Sequence, residues 1–137
     1  MFQKITVQTK INAPVTKVWE YYTNPKHIVN WNNASIDWHT PSAKNDLRVG
    51  GKFSYRMESV DGKNGFDFEG VYTEVIDNKS IKYSMEDGRN VTALLNQSGD
   101  QTNIEVTFDA ETENSIELQR EGWQAILDNF KSYVEEN

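Results

Sequence analysis

A chain of 137 residues is sized for one domain around one core. It has no cysteine, which excludes a disulfide framework and any thiolate site, and a formal charge of −7 without a basic stripe argues against nucleic-acid binding. Only 36% of the residues are apolar, but four tryptophans, six tyrosines and six phenylalanines can bury a large area between them.

Residues 2–11 alternate, with Ile5, Val7, Thr9 and Ile11 on one parity, which predicts a half-buried strand. No basic segment with an apolar stretch precedes it, so a secretory signal is not expected. Pro14 suits the first position of a helix. Val15, Val18, Trp19 and Tyr22 then fall at helical spacing and give it one apolar face. Asn24-Pro25 ends that helix and opens a second short one, reaching about Asn30 and Trp31. Trp31, Ile36 and Trp38 lie in a polar stretch expected at the rim of the fold.

From Lys52 onward the pattern is all strand. Phe53, Tyr55 and Met57 alternate with polar residues, Asp61-Gly62-Lys63-Asn64-Gly65 signals a hairpin, and Phe66, Phe68, Gly70 and Tyr72 share the next parity. Asp77-Asn78-Lys79, Asp87-Gly88 and Ser98-Gly99-Asp100-Gln101 separate three further strands. The inward candidates there include Ile81, Tyr83, Ile104, Val106 and Phe108. Turns at this interval predict an antiparallel meander.

Residues 114–136 read as one long helix. Ile116, Trp123, Ile126, Leu127, Phe130, Tyr133 and Val134 form its apolar face. Asn114 with Glu117 is the expected capping pair, with Thr112 competing. Gly122 weakens a helix, and close approach of a sheet would explain it. No apolar run reaches about 18 residues, so no transmembrane helix and no membrane insertion are expected. The order of elements is strand, two short helices, a strand meander, then a long helix. It predicts an α+β helix-grip fold, a curved antiparallel sheet wrapped around the C-terminal helix.

Few residues carry reactive chemistry. With His27 and His39 as the only histidines, a metal site has no obvious ligand set, and no metal or other cofactor is expected. His27 is expected exposed on the short helix. Asp37 and His39 are two apart, a spacing common by chance. Asp67 and Glu69 face away from Phe66 and Phe68 and read as solvated. Gly50-Gly51 lacks the strand-before, helix-after setting of a phosphate loop and reads as a bulge or a close backbone packing point. No catalytic residue is nominated.

The aromatic set says more. Trp19, Tyr22, Phe53, Tyr55, Phe68, Tyr72, Tyr83, Trp123 and Phe130 can converge on one interior, either as an ordinary packed core or as the walls of a cavity with a few orienting hydroxyls. Gln119 falls within the apolar face of the long helix, where an amide needs partners. The candidate ligand-binding set is these ten residues with Trp31, Ile126 and Leu127, around a cavity of at least about 300 Å³. Its mouth is expected near the short helices and the 31–38 segment.

Ile11-Asn12-Ala13-Pro14 with Val18-Trp19, Asn24-Pro25 and Trp31 resembles the start of the Hsp90-ATPase-activator-homologue (AHSA1-like) branch of the START/Bet v 1-like (SRPBCC) superfamily. Asp46-Leu47-Arg48-Val49-Gly50-Gly51-Lys52-Phe53, Gly70-Val71-Tyr72-Thr73-Glu74-Val75 and Gly122-Trp123 with Leu127 and Phe130 are similar to it as well. The resemblance spans nearly the whole chain and implies a helix-grip fold with a cavity between sheet and helix. The superfamily hosts lipid carriers, small-molecule binders, cyclases and co-chaperones. The expected function is binding of a small hydrophobic molecule, a lipid or an aromatic metabolite, in the cytoplasm. The alternatives are a co-chaperone-like or stress-response module with a protein partner, and a cyclase- or hydratase-type enzyme.

Overall fold

The computed structural model describes residues 2–137. Seven strands form one antiparallel sheet in the order β1-β7-β6-β5-β4-β3-β2. They are β1 (Lys4–Ile11), β2 (Trp38–Asn45), β3 (Lys52–Ser59), β4 (Gly65–Ile76), β5 (Ser80–Ser84), β6 (Asn90–Ser98) and β7 (Gln101–Asp109). Helices α1 (Val15–Thr23) and α2 (Pro25–Trp31) lie between β1 and β2, and α3 (Ile116–Glu136) closes the chain. This is the α+β helix-grip arrangement that the element order predicts.

Strand β2 was not expected. Only Thr40 on it is fully buried, so it carries no apolar alternation, and Pro41 breaks the pattern. Proline is tolerated there because β2 pairs with β3 alone, at an edge, and its register shifts between His39 and Ser42. The inward parities of β1, β3 and β7 are otherwise those of the sequence pattern, with Ile5, Val7, Ile11, Phe53, Ile104, Val106 and Phe108 buried.

The helices need three corrections. Pro14 occupies the position before α1 rather than its first turn and makes no side-chain cap. The cap of α3 is Ser115, whose hydroxyl accepts from the Leu118 N–H at 3.1 Å. Asn114 instead donates from its backbone and amide to Glu111, at 2.7 and 3.0 Å. A methyl group at Gly122 would meet nothing within 4 Å, so close approach of the sheet does not explain that glycine.

Helix α3 packs along β1, at one side of the curled sheet, and against α1 and α2. Two of its side chains reach the outer edge of β1. Gln124 Nε2 donates to the Gln8 carbonyl at 3.1 Å, and Arg120 Nη1 to that of Thr6 at 3.5 Å. Its C-terminal half is sealed: Phe130 and Val134 are fully buried, as are Val18 on α1, Ile28 on α2 and Ile104 on β7. Trp31, expected at the rim, is buried, while Ile36 is 91% exposed.

Candidate functional site: an aromatic pocket between sheet and C-terminal helix

Because α3 covers the β1 side of the sheet, the space in front of β3, β4 and β5 is not filled by helix. A pocket of about 340 Å³ lies there. Phe53 on β3 is the centre of its wall, with ring centroids 5.0 Å from Tyr55, 5.4 Å from Tyr72, 4.7 Å from Tyr83 and 5.7 Å from Phe68. Gly70 makes room for it, since a Cβ there would sit 2.6 Å from the Phe53 ring. On the helix side the wall is Trp123, Ile126 and Leu127 of α3. Trp123 stacks on Phe108 with centroids 4.0 Å apart and meets Phe68 edge-on at 6.2 Å. The remaining wall comes from Tyr22, Thr23, Trp31 and Asn32 at the short helices.

Ten of the residues nominated from sequence therefore line one pocket: Tyr22, Trp31, Phe53, Tyr55, Phe68, Tyr72, Tyr83, Trp123, Ile126 and Leu127. Three do not. Trp19 is buried in the core off the pocket. Phe130 lies behind the wall, edge-on to Tyr22 at 5.2 Å and to Trp31 at 4.7 Å, and holds both rings in place.

Gln119 is the third, and its role differs from the one expected. Its Oε1 accepts from the Glu111 N–H at 2.9 Å, and its Nε2 donates to the carbonyls of Glu111 and Asn114 at 3.1 and 2.9 Å. The amide is buried because it ties the loop after β7 to the first turn of α3, and both of its ends are engaged there.

The pocket also takes in residues that sequence reading left out. Met57, Phe66, Val7, Ile81 and Val106 share the inward parity of nominated or core neighbours, so alternation alone could have found them. Arg89 and Glu111 sit in loops and carry no such signal. Both are already engaged. Arg89 donates from Nε to Asp87 at 2.6 Å, and Glu111 accepts from Asn114.

The polar groups of the wall are mostly phenols. Tyr72 donates to Asn45 Oδ1 at 2.5 Å, and Asn45 Nδ2 in turn donates to the Thr23 carbonyl at 2.7 Å. Burial pushes the Tyr72 hydroxyl up to about 12, although its hydrogen bonds to Tyr55 and Asn45 act the other way. Burial also drives Tyr22, Tyr55 and Tyr83 well above the ordinary tyrosine value, and neighbouring tyrosines add to the effect. The Tyr55 hydroxyl stands near that of Tyr72. The Tyr22 and Tyr83 hydroxyls have no hydrogen-bond partner among the described residues. Since no polar atom sealed from solvent is unpaired, their free surface is that of the pocket they line. All four stay neutral phenols at physiological pH.

The histidines lie elsewhere. His39 is exposed. His27, expected exposed, is half-buried: its Nδ1 is 2.8 Å from the Tyr133 hydroxyl and its ring stacks on Tyr21 at 3.9 Å. Among the described residues no three histidine or carboxylate side chains come together as a metal site, and no helix is long and apolar enough to cross a membrane.

A curled antiparallel sheet gripping a C-terminal helix, with an aromatic pocket between them, defines a helix-grip protein of the SRPBCC type. The family model described as Activator of Hsp90 ATPase homolog 1-like protein matches residues 12–135, and the chain belongs to that family. An AHSA1-like protein from Aeromonas hydrophila is 42% identical, with a TM-score of 0.91 over 98% of this chain and 93% of that one. A protein from Cytophaga hutchinsonii is 49% identical, with a TM-score of 0.85 over 98% and 93%. A protein from Nitrosomonas europaea shares the fold at 20% identity, with a TM-score of 0.83 over 97% and 94%. No curated protein matches the chain.

Proposed function

We propose that this protein binds a small hydrophobic molecule, a lipid or an aromatic metabolite, in the pocket between sheet and α3. The observation that carries the reading is a space of about 340 Å³ walled by Phe53, Phe68, Trp123 and four tyrosines. Such volumes begin the range of ligand pockets, about 300–1,000 Å³. Rings held by one another around an open space favour an apolar guest, because its burial removes aromatic surface from water without rearranging the walls. No histidine lines the wall, and its one carboxylate and one guanidinium, Glu111 and Arg89, are each engaged in their own loops. That favours a binder over an enzyme.

The test is native mass spectrometry of the protein purified from its own host. The expected result is a small-molecule adduct that leaves on denaturation. A protein without adduct that also fails to bind any of a panel of lipids and aromatic metabolites would move the reading to a protein-interaction module.

A further inference from the structure

The distribution of polar atoms in the wall is uneven. Tyr55, Tyr72 and Tyr83 stand around Phe53, whereas Met57, Phe66, Phe68 and Ile126 bring no hydrogen-bonding group to the wall. One of the four tyrosine hydroxyls is committed, that of Tyr72 to Asn45, and Tyr55 stands beside it. Tyr22 and Tyr83 are not committed, and Tyr83 is only 9% exposed. Neither hydroxyl is sealed off, so this pair has unused capacity to donate to or accept from a guest.

We infer that the pocket selects uncharged amphipathic molecules, whose apolar body lies against Phe68 and Trp123 and whose carbonyl or hydroxyl oxygen is bound by Tyr22 and Tyr83. This rests on the pocket reading above. Charge decides the class. A carboxylate among these phenols would be desolvated. Arg89, the basic residue of the wall, is already ion-paired with Asp87, whose Oδ2 lies 2.6 Å from Nε, so a guest carboxylate would compete with one already in place. A neutral oxygen needs no counter-charge, and a phenol can serve it as donor or acceptor.

Three matched probes test this by calorimetry on the full chain: naphthalene, 2-naphthol and 2-naphthoate. The expected order is 2-naphthol tightest, by about tenfold over naphthalene, the ratio that one net hydrogen bond supplies. 2-Naphthoate should bind more weakly than 2-naphthol. Tyr22→Phe with Tyr83→Phe should bring the affinities for 2-naphthol and naphthalene together. Each single substitution should remove part of the preference, which keeps the assignment testable should the double variant fold poorly. Equal binding of naphthalene and 2-naphthol overturns the inference but leaves the pocket reading standing. A naphthol preference that survives both substitutions overturns the assignment to these hydroxyls, and a preference for naphthoate overturns the neutral class. Binding of none of the three overturns the inference together with the pocket reading.

Discussion

The two halves of α3 meet different interiors. Phe130 and Val134 in its C-terminal half are fully buried in the same core as Val18, Ile28 and Ile104. Trp123 and Ile126 in its N-terminal half face rings on β3, β4 and β5 that touch each other and leave a space in front. Aliphatic side chains fill gaps by interdigitating. Planar rings braced edge-to-face at centroid separations of 4.7–6.3 Å make a stiff wall that does not collapse inward. One amphipathic stripe can thus build a packed core at one end and a pocket at the other.

Truncation should separate the halves most sharply. Phe130→Ala should cost about 3–5 kcal/mol in urea titrations, the usual loss for a fully buried phenylalanine. Phe68→Ala, which borders an existing space, should cost only about 1–2 kcal/mol, because less new cavity is made. Equal losses would mean that the pocket half is packed as tightly as the other.

Gln119→Leu should destabilise by about 2 kcal/mol, since it strands the Glu111 N–H and two carbonyls. Binding of any pocket ligand should be unchanged. A stability that holds or rises would return Gln119 to the role expected from sequence, that of an unsatisfied amide facing the pocket.

The β1 end of the sheet has its own acid sensitivity. Asp109 is desolvated, which alone would raise its carboxyl. Lys4 at 2.7 Å, the Asn90 N–H at 2.8 Å and the charge of Arg89 outweigh this and hold it below the ordinary carboxylate value. A depressed carboxyl contributes stability above its unfolded-state pKa and loses it as pH falls through the folded one. Asp109→Asn should therefore cost about 1 kcal/mol near neutrality and nothing at acid pH, where the two unfolding curves should converge. Curves that stay parallel would show that the ionised form contributes nothing.

The smallest expected effect is a gain. Gly122→Ala should add about 0.8 kcal/mol, because the new methyl meets nothing and a helix interior favours alanine. Loss of stability there would mean that α3 is packed on the side where its surroundings are open.

Much of this was legible in sequence. Alternation located the inward faces of five strands, and helical spacing located the buried stripe of α3. What escaped has physical reasons. Strand β2 is held by backbone pairing and not by an apolar face, so it has no pattern to read. Gln119 sits on an apolar stripe, but a stripe gives the direction of a side chain and not its partners. Those partners are backbone groups of a loop whose path no periodicity encodes. Trp19 and Phe130 are as aromatic as the rest, yet the curl of the sheet decides which rings face a gap and which stand behind them. Arg89 and Glu111 reach the pocket from turns, which carry no periodicity.

The side chains by which α3 reaches the Thr6 and Gln8 carbonyls also bear on self-association. A sheet with free edges can recruit a second chain strand by strand. At β1 those carbonyls are already taken by Arg120 and Gln124. At β2, Pro41 supplies no N–H and the register shift twists the strand away from a flat template. Neither border of the seven strands offers a ready ladder, so a protein whose interior is braced open is still protected against growing into a fibre.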